Sequence, residues 1–150
     1  MSLGAGIVAG AAGTTALDAV TYLDMAVRGR PASRLPSEAA AELADRAGAD
    51  LGSGQAGESR REGVGALLGY AAGLGAGALY GLLAGDRRLP LPVAALGLSA
   101  AAMAAGDIPL VALRLTDPRR WEASSWVADV VPHLAYGLTA AAVYRRLTRP

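Results

Sequence analysis

Four long apolar runs, separated by one polar stretch and two short breaks, organise the chain. They cover residues 3–27, 64–84, 91–113 and 124–144. Each is about the 20 residues that an α-helix needs to cross some 30 Å of hydrocarbon. The apolar residues are gathered into these runs instead of being spread through amphipathic patterns, so the pattern predicts an all-α polytopic membrane protein with four transmembrane helices. Residues 28–63 form the extramembrane segment. Arg28-Gly29-Arg30-Pro31 closes the first span with headgroup-level charge and a helix-stopping proline. The stretch from Pro36 through Glu38 and Glu42 to Ala47 reads as a short helix with Ser37 as its N-cap. Residues 48–57, rich in Gly, Ala and Ser, read as a flexible linker, and Glu58, Arg60, Arg61 and Glu62 as the water boundary of the second span. Residues 86–90 read as a tight turn that brings the third span back antiparallel to the second.

Small residues are placed regularly within the spans. Gly65, Gly69, Gly73, Gly77, Gly81 and Gly85 recur at a strict spacing of four residues, a glycine zipper in the second span. In a soluble helix each glycine costs about 1 kcal/mol relative to alanine; in lipid, where helices associate through close packing, such a row has a use. A helix turns 100° per residue, so six glycines at this spacing wrap roughly 200° around the axis. That predicts at least two partner helices. Gly6, Gly10, Thr14, Asp18 and Tyr22 repeat the spacing in the first span, and Gly97, Ser99 and Gly106 offer further small contacts in the third.

Ionisable residues break the apolar runs at few places. Asp18 lies in the first span, Asp107 beside Pro109 in the third, and Asp129 and His133 at i and i+4 in the fourth, with Tyr136 on the same face. Arg114 stands two turns beyond Asp107 as a candidate partner. Asp24, near a span end, reads as interfacial. With four spans, Asp18, Asp107, Asp129 and His133 all fall within about 10 Å of the midplane, displaced toward the side that bears the extramembrane segment. A charge in hydrocarbon costs about 2.5 kcal/mol or more and usually faces a bundle interior or a wet cavity. The expectation is a polar half-cavity closed on its far half by Gly and Ala; the competing reading is a set of interhelical hydrogen bonds. His133 is the group whose ordinary titration range lies near neutrality.

Composition narrows the functional classes. Hydrophobic residues make up 53% of the 150 residues, and all fourteen basic residues are arginine, which reads as the codon bias of a GC-rich bacterial genome. A formal charge of +1 gives no reason to expect nucleic acid as a partner. Zero cysteine excludes disulfides and thiol chemistry, and the absence of lysine excludes a Schiff-base cofactor. No spacing selects a metal, and no nucleophile motif surrounds Ser124 or Ser125, so neither a metal, another cofactor nor an enzyme is expected. No basic residue precedes the first apolar run, so a signal peptide is not expected either. Nine of the fourteen arginines fall on the side of the 28–63 segment, which the positive-inside rule places in the cytoplasm, although Arg145 and Arg146 beside the last span argue the reverse.

Three local patterns, Gly6-x-x-Ala9-Gly10-x-x-Gly13-Thr14, the loop from Arg30-Pro31 to Leu35-Pro36, and His133-x-x-Tyr136-Gly137, resemble the small multi-span bacterial inner-membrane proteins of YagU-like type. The resemblance implies an integral protein of the bacterial cytoplasmic membrane, in a family with no agreed reaction. Two functional expectations follow from the residues. One is a structural or assembly protein that forms homo-oligomers or docks to other membrane subunits through the glycine stripe. The other is a small proton-linked transporter or permeation protein using Asp18, Asp107, Asp129 and His133.

Overall fold

The computed structural model describes residues 2–85, 87 and 89–148. It is all-α: α1 (Ser2–Arg28), α2 (Leu35–Ala47), α3 (Gly54–Ala84), α4 (Leu91–Ala112) and α5 (Ala123–Leu147), with a 3-10 turn at Pro118–Arg120. Helices α1, α3, α4 and α5 are each long and apolar enough to cross a membrane. Asp86 and Arg88 of the expected tight turn, and Arg149 of the arginine tally, lie outside the described residues.

The helices form a ring. α1 packs on α3 and on α5, α4 packs on α5 and less extensively on α3, and α2 packs on α3. The α1–α3 seam is a backbone-to-backbone contact made possible by glycine on both sides. A Cβ on Gly77 would fall on the Gly6 carbonyl and 2.6 Å from the Gly10 Cα; one on Gly10 would fall 2.8 Å from the Gly73 carbonyl oxygen. Gly6 and Gly81 face each other farther along the seam. Carbonyls aimed at opposing Cα–H groups are a recurrent gain of such close crossings, about 0.5–1 kcal/mol each.

The glycine row of α3 serves three helices. Gly65 receives the Pro36 backbone of α2, and Gly73, Gly77 and Gly81 receive α1. From across the ring, α5 adds two tyrosines. The Tyr136 hydroxyl donates to the Gly73 carbonyl at 2.6 Å, and the Tyr144 hydroxyl to the carbonyls of Gly85 at 3.0 Å and Gly81 at 3.4 Å. The constant offset of these pairs makes α3 and α5 parallel diagonals of the bundle. Tyr136 is fully buried and Tyr144 nearly so, and Tyr80 meets Tyr144 edge-on with centroids 5.1 Å apart. Gly69 has an open face, and Gly85 ends the helix at φ +51°, a left-handed conformation suited to glycine. We expect Tyr136→Phe to lower stability by about 1 kcal/mol, since it deletes a hydrogen bond and keeps the ring; equilibrium unfolding in mixed micelles measures this.

The segment between α1 and α3 differs from the sequence expectation in two respects. Ser37 is not the N-cap: α2 begins at Leu35, and the Ser37 hydroxyl donates back to the Arg34 carbonyl. The proposed linker is only partly irregular, because α3 begins at Gly54, ten residues before the apolar run. Packing overrides composition there. α2 and the start of α3 form a helical hairpin, with Ala39 and Ala40 of α2 buried, and Arg60 and Arg61 donate to the carbonyls of Leu51 and Gly52 to fasten its loop. A helix of 31 residues is about 46 Å long, well beyond a hydrocarbon core.

Burial is confined to one end. The buried residues lie at 6–14 in α1, 94–102 in α4 and 132–144 in α5; in α3 they lie at 73–84, joined by Gly57 and Gly65. Outside the α2 hairpin, the half of the bundle nearer the α1–α2 and α4–α5 connections contains, among the described residues, Pro132 as its one buried residue.

Candidate functional site

The intramembrane acids stand in this loosely packed half. Their common level follows from the helix registers. α4 and α5 touch where Ser99 meets Gly137, whose Cβ would fall on the Ser99 hydroxyl. Counting eight residues from each along the antiparallel pair brings Asp107 opposite Asp129. α1 meets α5 where Gly13 lies against the Tyr136 ring, and five residues farther on each helix Asp18 is level with Val131, between Asp129 and His133.

Three of the four groups come together between α4 and α5. His133 Nδ1 lies 2.8 Å from the Asp129 backbone oxygen and 3.4 Å from its Oδ1. A proton on Nδ1 serves both acceptors, which leaves Nε2 as the second site for a proton on that ring. Asp107 interacts electrostatically with both Asp129 and His133. Asp129 Oδ2 is buried without a hydrogen-bond partner among the described residues. Pro132, buried in α5, has no N–H for the Ala128 carbonyl, so another acceptor is released one residue from Asp129. The cluster is therefore rich in acceptors and poor in donors.

Asp18 sits apart from these three. Its carboxyl is faced by the Tyr70 hydroxyl of α3 and belongs to the α1–α3 side of the same level. Tyr136 turns inward to Gly73, one turn from His133, and anchors the closed half. Arg114 does not reach Asp107: it forms no ion pair with it and stands beyond the end of α4 at φ +60°. Asp24 pairs with Arg30 and, at 3.5 Å, with Arg28, as an interfacial carboxylate would. Among the described residues no group of three or more His, Asp or Glu side chains is placed to hold a metal ion.

The sequence motifs contain Gly13 and Gly137 but not their contacts: they let Tyr136 and Ser99 approach. Tyr144, which the sequence patterns did not single out, repeats the contact of Tyr136 two turns on. The signal for the tyrosines was their eight-residue spacing, equal to that of Gly73 and Gly81 in the glycine row. Comparison with protein-family models, curated proteins and solved structures returns no match. The functional reading therefore rests on the geometry.

Proposed function

We propose that this integral membrane protein is a small proton-linked transporter or permeation protein, with Asp107, Asp129 and His133 as its proton-handling group and Asp18 as a second carboxylate at the same depth. The observation that carries the reading is the coincidence of these groups with the loosely packed half, opposite a half sealed by glycine, alanine and tyrosine. Ionisable groups at such depth are costly, and placing them between helices instead of against lipid lowers that cost; the Asp129 and His133 side chains are only 20% and 16% exposed. His133 and Asp129 supply donor and acceptor within one turn, the arrangement a proton relay needs. In proteoliposomes carrying a pH-sensitive dye and an imposed pH gradient, the chain should accelerate dye response, and the pair Asp18→Asn and His133→Gln should reduce the rate at least tenfold. Unaltered flux in that variant removes the reading.

The assembly reading retains one observation in its favour. Gly69, Gly97 and Gly106 present open faces on the outside of the bundle, whereas Gly65, Gly73, Gly77 and Gly81 are occupied by the chain's own helices. If copies meet through the remaining face, Gly69→Leu shifts the particle toward monomer in mild detergent and leaves helix content unchanged. An unchanged particle mass counts against it.

A further inference from the structure

The connection between α4 and α5 carries a feature that the proton-linked reading does not use. Residues 111 and 114–121 line a recess of about 790 Å³ at the end of the bundle that bears the open half. Three arginines, Arg114, Arg119 and Arg120, border it against one carboxylate, Asp117. Asp117 is already engaged: it accepts from the Arg119 backbone N–H at 3.1 Å and pairs loosely with Arg120 at 3.7 Å. The guanidinium groups of Arg114 and Arg119 have no carboxylate partner among the described residues.

Arg114 adopts a left-handed backbone at φ +60° because it ends α4: its N–H donates to the Val111 carbonyl and the Leu115 N–H to the Leu110 carbonyl, which fixes where the Arg114 side chain leaves the helix end. Trp121 closes the recess, its indole N–H donating to the Thr116 hydroxyl at 2.7 Å and its ring meeting Trp126 edge-on at 5.0 Å. Two tryptophans in edge contact beside arginines, where α4 ends and α5 begins, suit the headgroup layer.

We propose that this recess binds the phosphate of a net-negative phospholipid headgroup, with Arg114 and Arg119 as the charge partners and Trp121 as the wall set against the glycerol and acyl-chain boundary. Arginine presents paired donors matched to phosphate oxygens. The positive lining disfavours a headgroup that carries its own ammonium. A free phosphate ion shares the same chemistry, so the test separates the two sources.

The chain contains only two tryptophans, Trp121 in the recess and Trp126 against it, so emission excited selectively at tryptophan reports this corner. The full chain is placed in phosphatidylcholine nanodiscs with a rising fraction of phosphatidylglycerol, and in a second series inorganic phosphate is added to pure phosphatidylcholine discs. A saturable emission change with phosphatidylglycerol is expected, its midpoint moved at least tenfold by the double variant Arg114→Gln and Arg119→Gln. Arg34→Gln with Arg46→Gln, the same loss of charge elsewhere on that side, should leave the midpoint in place, and far-ultraviolet circular dichroism confirms that both variants are folded. Saturation by inorganic phosphate alone supports the phosphate site and moves its source to water. No saturable change in either series, or an equal shift in the control variant, overturns the proposal.

Discussion

Gly77→Leu should disrupt this protein more than any other single change in α3. The Gly77 Cα faces the Gly6 carbonyl and the Gly10 backbone, so even a methyl group has no space between α1 and α3. Neither neighbour is a flexible side chain that can swing aside; the whole α1 helix must move. Overpacking in a close-packed interior costs about 1–3 kcal/mol for a methylene or two, and leucine against two backbones belongs above that range. Moving α1 also draws Gly13 away from Tyr136 and loosens the α1–α5 contact. A fall of more than about 3 kcal/mol in unfolding free energy is expected, read by chemical unfolding in mixed micelles. Gly69→Leu is the matched control, since its face is open.

Asp129→Leu should act in opposite directions on stability and on flux. Asp129 Oδ2 is buried without a partner among the described residues, and a carboxylate at this depth costs about 2.5 kcal/mol or more. Leucine removes that cost. His133 keeps its contact with the backbone oxygen of residue 129, at 2.8 Å, so the ring is not orphaned. The variant should therefore unfold at higher denaturant, by about 1–3 kcal/mol, while proton flux in proteoliposomes falls to the lipid background. Were Asp129 merely a structural partner of His133, the same substitution would lower stability. The two measurements together separate a functional carboxylate from a structural one.

Much of this architecture was legible in the sequence because lipid imposes simple rules. A span must be about 20 apolar residues long and must satisfy its backbone internally, and the four runs do so. The end of α1 at Arg28 and the start of α4 at Leu91 fall within a residue of the pattern, since charge and proline punctuate them. The start of α3 was not legible. Gly54, Gly57 and the charged 58–62 stretch have the composition of a linker, and only docking of α2 holds them helical. Neither was the division of labour along the glycine row. Spacing shows that several helices are needed, but which helix meets Gly65 and which meets Gly77 depends on the fold of the whole chain.

The candidate site was legible in its depth and less so in its grouping. Asp129 and His133 share one helix, so their i, i+4 spacing was sufficient to bring them together. Asp107 joined them through the α4–α5 register, which Gly137 sets and which no local pattern encodes. Asp18 has the right depth but went to Tyr70. The sequence could place all four at one height but could not say how they are distributed around the ring.

The length of α3 has a mechanical consequence. It runs without a proline from the hairpin at Gly54 to the glycine seam at Gly77 and Gly81, held by α2 at Gly65 and by α1 at Gly73, Gly77 and Gly81, so one continuous helix links the hairpin to the seam. Along that helix Tyr70, which faces Asp18, and Gly73, which accepts from the Tyr136 hydroxyl, lie between the α2 hairpin and the seam. An antibody fragment bound to the hairpin is therefore expected to change proton flux in proteoliposomes without touching the acidic level, and unchanged flux shows that the hairpin and that level are independent.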